Sequence, residues 1–270
     1  MAPRIPNVLA IAGSDPSGGA GVQADIKTLS ALRCYAMAAV TALTVQNTQG
    51  VRLVHPAPPE IVGAQIDAIF ADSVIDSVKI GMTARADIVE AIAAALARSG
   101  ARMIVYDPVL SSSHDESLSG PGLLDAARGR LAPLVTLITP NLLEAAALVG
   151  GAPARDPDAM AEQARALVGL GAQAALVKGG HLEGEPIDIL FDGVRLHRFR
   201  GRRIATRNTH GTGCALSSAI AARLAHGAAL VDAVAQAKAF LEEALARADA
   251  LSVGEGPGPP HHFAADWRRG

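Results

Sequence analysis

The first structural unit of the chain reads Val8-Leu9-Ala10-Ile11, followed by the loop Gly13-Ser14-Asp15-Pro16-Ser17-Gly18-Gly19-Ala20-Gly21. The four apolar residues predict a buried strand, and the residues after them predict a helix over 19–32. A short apolar run, a polar turn and an alanine-rich helix then recur in this order along most of the chain. Strands that are apolar on both sides are typical of parallel sheets covered by helices. The repetition therefore predicts an α/β fold with a mostly parallel central sheet and helices on both faces.

The remaining elements follow from the same reasoning. Strands are expected at 39–45, 78–80, 103–106, 135–138 and 174–177, and helices at 60–70, 87–98, 123–131, from 142, at 160–170, 214–225 and 230–248. The stretch 187–199 differs, because its alternating residues around Asp192-Gly193 predict an antiparallel hairpin with a tight turn. No linker divides the 270 residues, so we expect a single domain over 1–270.

Composition excludes several classes of function. The net charge of −2 gives no basic surface for nucleic acid, and no apolar run reaches the about 20 residues of a membrane span. The first residues lack the pattern of a signal peptide. Cys34 and Cys214 are too few for a disulfide framework or a zinc site, so a reducing, cytoplasmic location is expected.

Polar residues directly follow the predicted strands. After the first loop these are Gln46-Asn47, Gly81-Met82, Asp107-Pro108, Pro140-Asn141 and Lys178-Gly179-Gly180-His181. In an open α/β sheet ligands bind outside the carboxyl ends of the strands, so these residues are expected to line one crevice. The first loop itself lacks the Lys-Ser/Thr pair of a P-loop and the spacing of the dinucleotide fingerprint, and we interpret it as a close backbone approach to a small ligand.

A second glycine-rich loop leads directly into a helix and reads Asn208-Thr209-His210-Gly211-Thr212-Gly213-Cys214. The first turn of a helix leaves several N–H groups unpaired at its positive end, which makes it a site for an anion such as a transferring phosphate. A thiol at a helix start is the most readily ionised, so Cys214 is a candidate base or nucleophile; the structural alternative is a small buried residue.

Three residues are candidate ligands of a divalent ion. Asp107, Asn141 and Glu144 supply the oxygen atoms that Mg²⁺ prefers. On spacing alone, however, Asn141 and Glu144 match a helix capping box, and Asp107 before a proline matches a turn residue. Lys178 is either a phosphate contact or a solvated turn lysine. The arginines at 195, 198, 200, 202, 203 and 207 are interpreted as the solvated face of the hairpin rather than as phosphate contacts.

Taken together, the motifs resemble a known family. They are Ala12-Gly-Ser-Asp-Pro-Ser-Gly-Gly-Ala-Gly-Val-Gln-Ala-Asp25, Thr41-Ala-Leu-Thr-Val-Gln-Asn47, Lys79-Ile-Gly-Met82, Thr139-Pro-Asn-Leu-Leu-Glu144, Lys178-Gly-Gly-His181, Asn208-Thr-His-Gly-Thr-Gly-Cys214 and Gly256-Pro-Gly-Pro-Pro-His-His-Phe263. In this order the motifs resemble those of the hydroxymethylpyrimidine/phosphomethylpyrimidine kinases of thiamine biosynthesis, in the ribokinase-like superfamily. The resemblance implies a three-layer α/β/α fold and a homodimer.

It also implies a function. The expected enzyme uses ATP and Mg²⁺ to phosphorylate 4-amino-5-hydroxymethyl-2-methylpyrimidine and then its monophosphate. The candidate residues are Gln46 with Gly13, Asp25 and Met82 nearby for the pyrimidine, Gly211, Thr212, Gly213 and Cys214 for catalysis, Lys178 and Thr209 for the nucleotide, and Asp107, Asn141 and Glu144 for Mg²⁺. Related sugar kinases carry a catalytic aspartate at the position of Cys214. Here a thiolate is the candidate base; the alternative is that the anion hole and the metal do most of the work.

One segment departs from the family pattern. The family often shows Lys-Ser-Gly where this chain has Ser111-Ser-Ser-His-Asp115, and the missing lysine bears on the second phosphorylation. We expect both steps to persist, with His114 or nearby arginines compensating. The alternatives are a pyridoxal kinase of the same superfamily and a pyrimidine sensor that has lost phosphoryl transfer.

Overall fold

The structure is a computed structural model that describes residues 4–110, 120–180, 182 and 184–267. The strands are β1 (Asn7–Ser14), β2 (Tyr35–Asn47), β3 (Gly50–Pro56), β4 (Ser77–Ile80), β5 (Ile104–Tyr106), β6 (Leu137–Ile138), β7 (Ala175–Lys178), β8 (Ile187–Phe191) and β9 (Leu196–Arg200). The α-helices are α1 (Gly21–Ala31), α2 (Pro59–Asp72), α3 (Ala86–Ser99), α4 (Leu123–Ala126), α5 (Leu142–Val149), α6 (Pro157–Gly169), α7 (Thr212–Ala225) and α8 (Leu230–Ala246).

The described strands form one sheet in the order β3-β2-β1-β4-β5-β6-β7-β8-β9. The six strands from β2 to β7 in this order run parallel, while β3, β8 and β9 are antiparallel to their neighbours. The carboxyl ends of β1, β4, β5, β6 and β7 therefore lie at one edge, as the sequence predicts for the ligand crevice.

Helices cover both faces of the sheet, which confirms the predicted α/β architecture. Along β1, Leu9 and Ile11 pack into a core with α2, α3 and α6, whereas Val8 and Ala10 pack into a second core with α1, α7 and α8. Because successive side chains of a strand point to opposite faces, a strand buried on both sides must be apolar throughout. This is the physical reason for the first four-residue run.

Three local predictions needed correction. Strand β3 was not predicted; it pairs with β2 in an antiparallel ribbon that extends beyond the parallel sheet. The predicted helix over 123–131 holds only one α-turn, continues as a π-helix over Ala127–Leu131 and ends in a 3-10 turn at Pro133. The hairpin of β8 and β9 is confirmed, but its turn is a four-residue loop in which Asp192 Oδ1 accepts the amides of Val194 and Arg195.

Surface features agree with the composition. The three arginines of the hairpin ribbon, at 195, 198 and 200, are exposed, as the structural interpretation of this run predicts. Among the described helices, none combines the length and the apolar character needed to cross a bilayer.

Candidate active site

The glycine-rich loop before α7 is held open toward the carboxyl edge of the sheet. Gly211 is the N-cap residue of α7 and has a φ of 78°, in the left-handed region, and a Cβ on it would lie 1.9 Å from the carbonyl oxygen of Gly19. The amides of Gly213 and Cys214 meet no hydrogen-bond acceptor in the part of the chain that the structure describes. The start of this 14-residue helix therefore has two unpaired N–H donors at its positive end, which are the groups that the predicted anion hole requires.

A buried ion pair lies directly against this helix start. Lys178 Nζ donates to Asp107 Oδ1 at 2.7 Å, and the Asp107 side chain is only 2% exposed. A Cβ on Gly213 would lie 3.2 Å from Lys178 Nζ and 3.4 Å from Asp107 Oδ2. Burial by itself would lower the pKa of Lys178, but the Asp107 carboxylate outweighs it and holds that pKa above its usual value. Lys178 is thus a permanent cation beside the anion hole.

Asn141 and Glu144 form the capping box that their spacing suggested. The Asn141 side chain accepts the amide of Glu144 at 2.9 Å, and Glu144 Oε2 accepts the amide of Asn141 at 2.7 Å. Glu144 is nevertheless a special carboxyl. Burial raises its pKa to about 7, with Asp107 adding to the rise and Lys178 opposing it. Glu144 therefore has a structural role in α5 and an electrostatic one next to Asp107.

The two carboxylates fit a divalent cation. Asp107 and Glu144 repel each other closely enough to raise the pKa of Glu144, and a cation between them would remove that repulsion. Within the described residues, no group of three or more His, Cys, Asp or Glu side chains could hold a metal on its own. Mg²⁺ commonly takes one or two carboxylates and completes its shell with water and phosphate oxygens, so this donor set suits Mg²⁺ bound together with a nucleotide.

Cys214 differs from its prediction. It stands at the helix start and is half-buried. The helix start alone favours a thiolate, but burial raises the pKa of Cys214 to about 11, and the positive charge of Lys79 only partly offsets this. The expectation of an easily ionised thiol is wrong, because withdrawal from water outweighs the nearby positive charge.

Asp25 is completely buried rather than exposed to a ligand. Its two carboxylate oxygens lie 2.8 and 2.9 Å from Lys79 Nζ, and Ser218 Oγ donates to it at 2.7 Å. Neither Asp25 nor Lys79 exposes any side-chain surface. Burial alone would lower the pKa of Lys79, but the Asp25 carboxylate holds it above its usual value. In this structure the Asp25–Lys79 pair therefore lies in the interior, in contact with Ser218 of α7, and does not form the surface of the site.

The remaining substrate candidates lie at the ends of β1, β2 and β4. Met82 is buried and its Cε lies 2.3 Å from the position that a Cβ on Gly13 would take, so a side chain at 13 would displace the end of Met82. Gln46 is half-buried, and its side chain contacts Thr44 and His210. Gly13, Met82 and Gln46 thus follow three adjacent strands at the same edge of the sheet.

Thr209 is exposed, and its carbonyl oxygen accepts the amide of Thr212 at 3.3 Å. It therefore lies one turn before the anion hole, with its side chain open to solvent. Part of the sequence interpretation lies outside the described residues, namely the 111–115 segment, which includes His114, and His181.

Sequence reasoning missed two parts of the site. Asp15 and His210 form a buried pair, with the His210 ring nitrogen Nε2 2.8 Å from Asp15 Oδ2. The C-terminal segment also folds back over the site. There the amide of Gly258 donates to Asn208 and its carbonyl accepts the amide of His210, while the amide of Gly256 donates to Thr48. The only sequence signal for this packing was the resemblance of the tail to the family's C-terminus.

Comparison with known proteins decides the family. The sequence model described as "Phosphomethylpyrimidine kinase" matches residues 15–261. The chain belongs to the phosphomethylpyrimidine kinase family. It is 51% identical over 261 residues to a hydroxymethylpyrimidine/phosphomethylpyrimidine kinase of Rhizobium meliloti, covering 96% of this chain and 98% of that protein. It is 50% identical over 262 residues to the protein of the same name from Escherichia coli, covering 97% and 98%.

Solved structures give the same fold for this phosphomethylpyrimidine kinase family member. An ADP complex of Bacillus subtilis pyridoxal kinase is 34% identical, with a TM-score of 0.89, and covers 98% of this chain and 100% of that one. A phosphomethylpyrimidine kinase from Clostridium difficile is 38% identical, with a TM-score of 0.80, and covers 89% and 99%. The ribokinase-like fold expected from the resemblance is confirmed.

Proposed function

We propose that this chain is an ATP-dependent kinase that phosphorylates 4-amino-5-hydroxymethyl-2-methylpyrimidine and then its monophosphate, in thiamine biosynthesis. The observation that carries the proposal is the Asp107–Lys178 pair packed against the anion hole of α7. Gly213 has no side chain, so the backbone at the start of α7 comes close to both charges, where a Cβ would be tight against Lys178. The identities near 50% to kinases of that name support the choice of substrate.

Each candidate residue then has a physical role. In the loop from Gly211 to Cys214, the unpaired amides of Gly213 and Cys214, together with the ammonium of Lys178, bind the transferring phosphoryl group, whose negative charge is spread over its oxygens. Asp107 and Glu144 would hold Mg²⁺, which would neutralise charge on the nucleotide phosphates. The oxygen of the Asn141 side chain and the exposed Thr209 complete the metal and nucleotide sides of the crevice. Gln46 hydrogen-bonds to the pyrimidine, and Gly13 and Met82 line its pocket.

The Cys214 thiol is neutral at physiological pH in this proposal. The substrate hydroxyl is a poor acid, so a base could help it attack, but a thiol with a pKa near 11 cannot act as a base at pH 7 unless its surroundings change. Charge stabilisation by the anion hole, Lys178 and the metal therefore supplies most of the rate. This is the second of the two routes that the sequence left open.

Pyridoxal kinase is the alternative that a specific observation favours. The ADP complex of pyridoxal kinase aligns with this chain at a TM-score of 0.89, so the same architecture accommodates a pyridine ring. The 34% identity to that enzyme is well below the 51% to a hydroxymethylpyrimidine kinase. We therefore expect pyridoxal to be a minor substrate. A non-catalytic sensor is disfavoured because the charged groups and the anion hole are all in place.

Mass-resolved product formation tests the proposal. The enzyme is incubated with ATP, Mg²⁺ and hydroxymethylpyrimidine, with pyridoxal and ribose in parallel reactions. Pyrimidine monophosphate followed by diphosphate is the expected result. Monophosphate alone would limit the enzyme to the first step and would contradict the expectation that the 111–115 segment is tolerated. A preference for pyridoxal would move the assignment to vitamin B6 salvage, and tight pyrimidine binding without ATP consumption would support the sensor.

We also propose a homodimer, a cytoplasmic location and a single kinase domain over 1–270. The β2–β3 ribbon carries three exposed apolar side chains: Leu43 (59% exposed), Val45 (52%) and Leu53 (56%). Val45 and Leu53 are directly paired across the two strands. An apolar patch on a protruding ribbon is typical of an interaction surface, here for a second copy of the chain. Leu53→Lys should convert a dimer into a monomer in light scattering; an unchanged mass would place the interface elsewhere.

The single sheet supports the single domain.

A further inference from the structure

The amide of Gln46 is flanked by two groups that leave its front edge open. One end of the amide, Nε2, lies 3.3 Å from His210 Nε2, and the other end, Oε1, lies 3.2 Å from Thr44 Oγ1. An amide can exchange its oxygen and nitrogen by a half-turn about its last torsion, so the neighbours decide which end carries the oxygen. Both neighbours have an identifiable hydrogen-bonding state.

Thr44 has only one proton to donate. Its hydroxyl lies 2.9 Å from the carbonyl oxygen of Ser14, which can only accept, and this contact is shorter than the one to Gln46. The proton of Thr44 therefore points at Ser14, and the lone pairs of its oxygen are left for Gln46. The end of the Gln46 amide that faces Thr44 must then be the donor, which is the NH₂ group.

Asp15 determines the state of His210. The Asp15 carboxylate accepts from the amide and hydroxyl of Ser17 and from the amide of Ala20, at 2.7 to 2.9 Å. Burial would raise the pKa of Asp15, but the hydrogen bonds from His210 and Ser17 outweigh it and hold that pKa below its usual value. An ionised Asp15 2.8 Å from His210 Nε2 requires a proton on that nitrogen, whatever the charge of the ring.

His210 and Thr44 then require the same orientation of the Gln46 amide. His210 Nε2–H can donate to Asp15 and, more weakly, to the end of Gln46 that faces it, so that end must be the oxygen. We propose that Asp15 and His210 are positioning residues that lock the Gln46 amide with its oxygen toward His210 and its NH₂ toward Thr44. This inference rests on the proposed function, in which Gln46 contacts the pyrimidine.

The fixed orientation of the Gln46 amide determines which hydrogen-bonding pattern of a substrate the pocket recognises. With its flanks satisfied by His210 and Thr44, the amide presents one acceptor and one donor side by side in a fixed order. A ring nitrogen next to an exocyclic amino group, the edge of a 4-aminopyrimidine, offers the complementary acceptor and donor. A pyridine ring with a hydroxyl group remote from its nitrogen does not. The Asp15–His210 pair is thus a device for substrate selection that does not touch the reacting atoms.

A double-mutant cycle on pyrimidine binding tests the coupling. The dissociation constant of hydroxymethylpyrimidine is measured by calorimetry without nucleotide for wild type, His210→Phe, Gln46→Ala and the double variant. We expect His210→Phe to weaken binding about 3- to 10-fold when Gln46 is present and less than about 2-fold in the Gln46→Ala background. His210→Gln, which restores an N–H donor, should return affinity to within about 2-fold of wild type.

Two results would overturn the inference: equal weakening by His210→Phe in both backgrounds, or no weakening in either. If Gln46→Ala itself leaves binding unchanged, the pyrimidine does not contact Gln46, and the substrate assignment of the proposed function fails as well. A matched control is His197→Phe, because His197 Nε2 also faces an aspartate, Asp192 Oδ2, at 2.7 Å, but in the hairpin turn away from the crevice. This control should not change pyrimidine binding.

The protonation state of His210 gives a second readout on the wild-type protein. Nitrogen-15 spectra of the free enzyme distinguish a protonated from an unprotonated Nε2, and the His210→Phe spectrum assigns the signal. We expect a proton on Nε2 at neutral pH. An unprotonated Nε2 would overturn the inference even if the variants fold poorly, because the oxygen of Gln46 could not then face His210.

Discussion

Gly213→Ala separates catalysis from stability at the anion hole. The added Cβ would lie 3.2 Å from Lys178 Nζ and 3.4 Å from Asp107 Oδ2, so the ion pair must shift by a few tenths of an ångström relative to the amides of Gly213 and Cys214. Displacements of this size around a transferring group, together with a partly blocked donor, cost about 10- to 100-fold in kcat. That range corresponds to about 1.4–2.7 kcal/mol of transition-state stabilisation.

The fold should tolerate the same substitution. Gly213 is the second residue of α7, and Ala is favoured over Gly in a helix by up to about 1 kcal/mol. The melting temperature of Gly213→Ala should therefore stay within about 3 °C of wild type. Gly211→Ala should behave in the opposite way. Its Cβ would lie 1.9 Å from the Gly19 carbonyl oxygen at a φ of 78°, at a cost of at least about 2 kcal/mol of folding stability.

The assay combines steady-state kinetics with thermal unfolding for both variants. Gly129→Ala is a matched control, since a Cβ there meets no described atom within 4 Å, and its kcat should be unchanged. Full activity of Gly213→Ala would refute the placement of the phosphoryl group between α7, Lys178 and Asp107. A fall in melting temperature as large as that of Gly211→Ala would refute the separation of catalysis from folding.

Three further predictions concern the buried ionisable groups. Folded Glu144 binds its proton more tightly than unfolded Glu144, so its ionisation between about pH 4.5 and 7 costs stability. Glu144→Gln should raise the free energy of unfolding by about 1–3 kcal/mol at pH 8 but not at pH 4, and in the kinase assay it should raise the Mg²⁺ concentration needed for half-maximal activity. Lys79→Met should lower that free energy by about 3–5 kcal/mol by stranding the Asp25 carboxylate, and denaturant titration should show recovery when Asp25→Asn is added. Cys214→Ala should lower kcat by less than about 10-fold, affect KM less, and leave the kcat profile between about pH 6 and 9 unchanged. If the wild-type kcat rises with pH in that range and the rise is lost in Cys214→Ala, the thiolate is restored as the base.

The fold was largely predictable because local pattern and global packing agree. The apolar run of β1 is a strand buried on both faces, and Asn141 with Glu144 caps α5 as the spacing indicated. Strand β3 was not predicted, because its residues are half-buried or exposed on a ribbon and carry no strong apolar pattern. The π-helix over Ala127–Leu131 and the 3-10 turn at Pro133 were not predicted either, because they depend on tertiary packing and not on a short-range sequence pattern.

The sequence predicted that candidate residues would meet at one edge of the sheet, but it did not reveal the pairing of Asp15 with His210 or the electrostatics of the site. The strand-end argument brought Asp107 and Lys178 to the same edge, and the structure shows that they are paired. The state of Cys214 was predicted wrongly, since a helix start favours ionisation and only the surrounding atoms reveal how far the thiol is withdrawn from water. The placement of Asp25 near the substrate stays a prediction, and the sequence did not reveal that its carboxylate is fully buried against Lys79.

The sequence by itself determined the order of strands and helices apart from β3, the glycine-rich loop that leads into α7 and the motifs that place the chain in its family. These features depend on residues close together in the chain, where conformational preference and periodicity act directly. Only the tertiary structure decided which charges pair, which groups are desolvated and how His210 meets Asp15 and Gln46. Those contacts join positions up to 195 residues apart, and their energies depend on distance and burial, which no local pattern encodes.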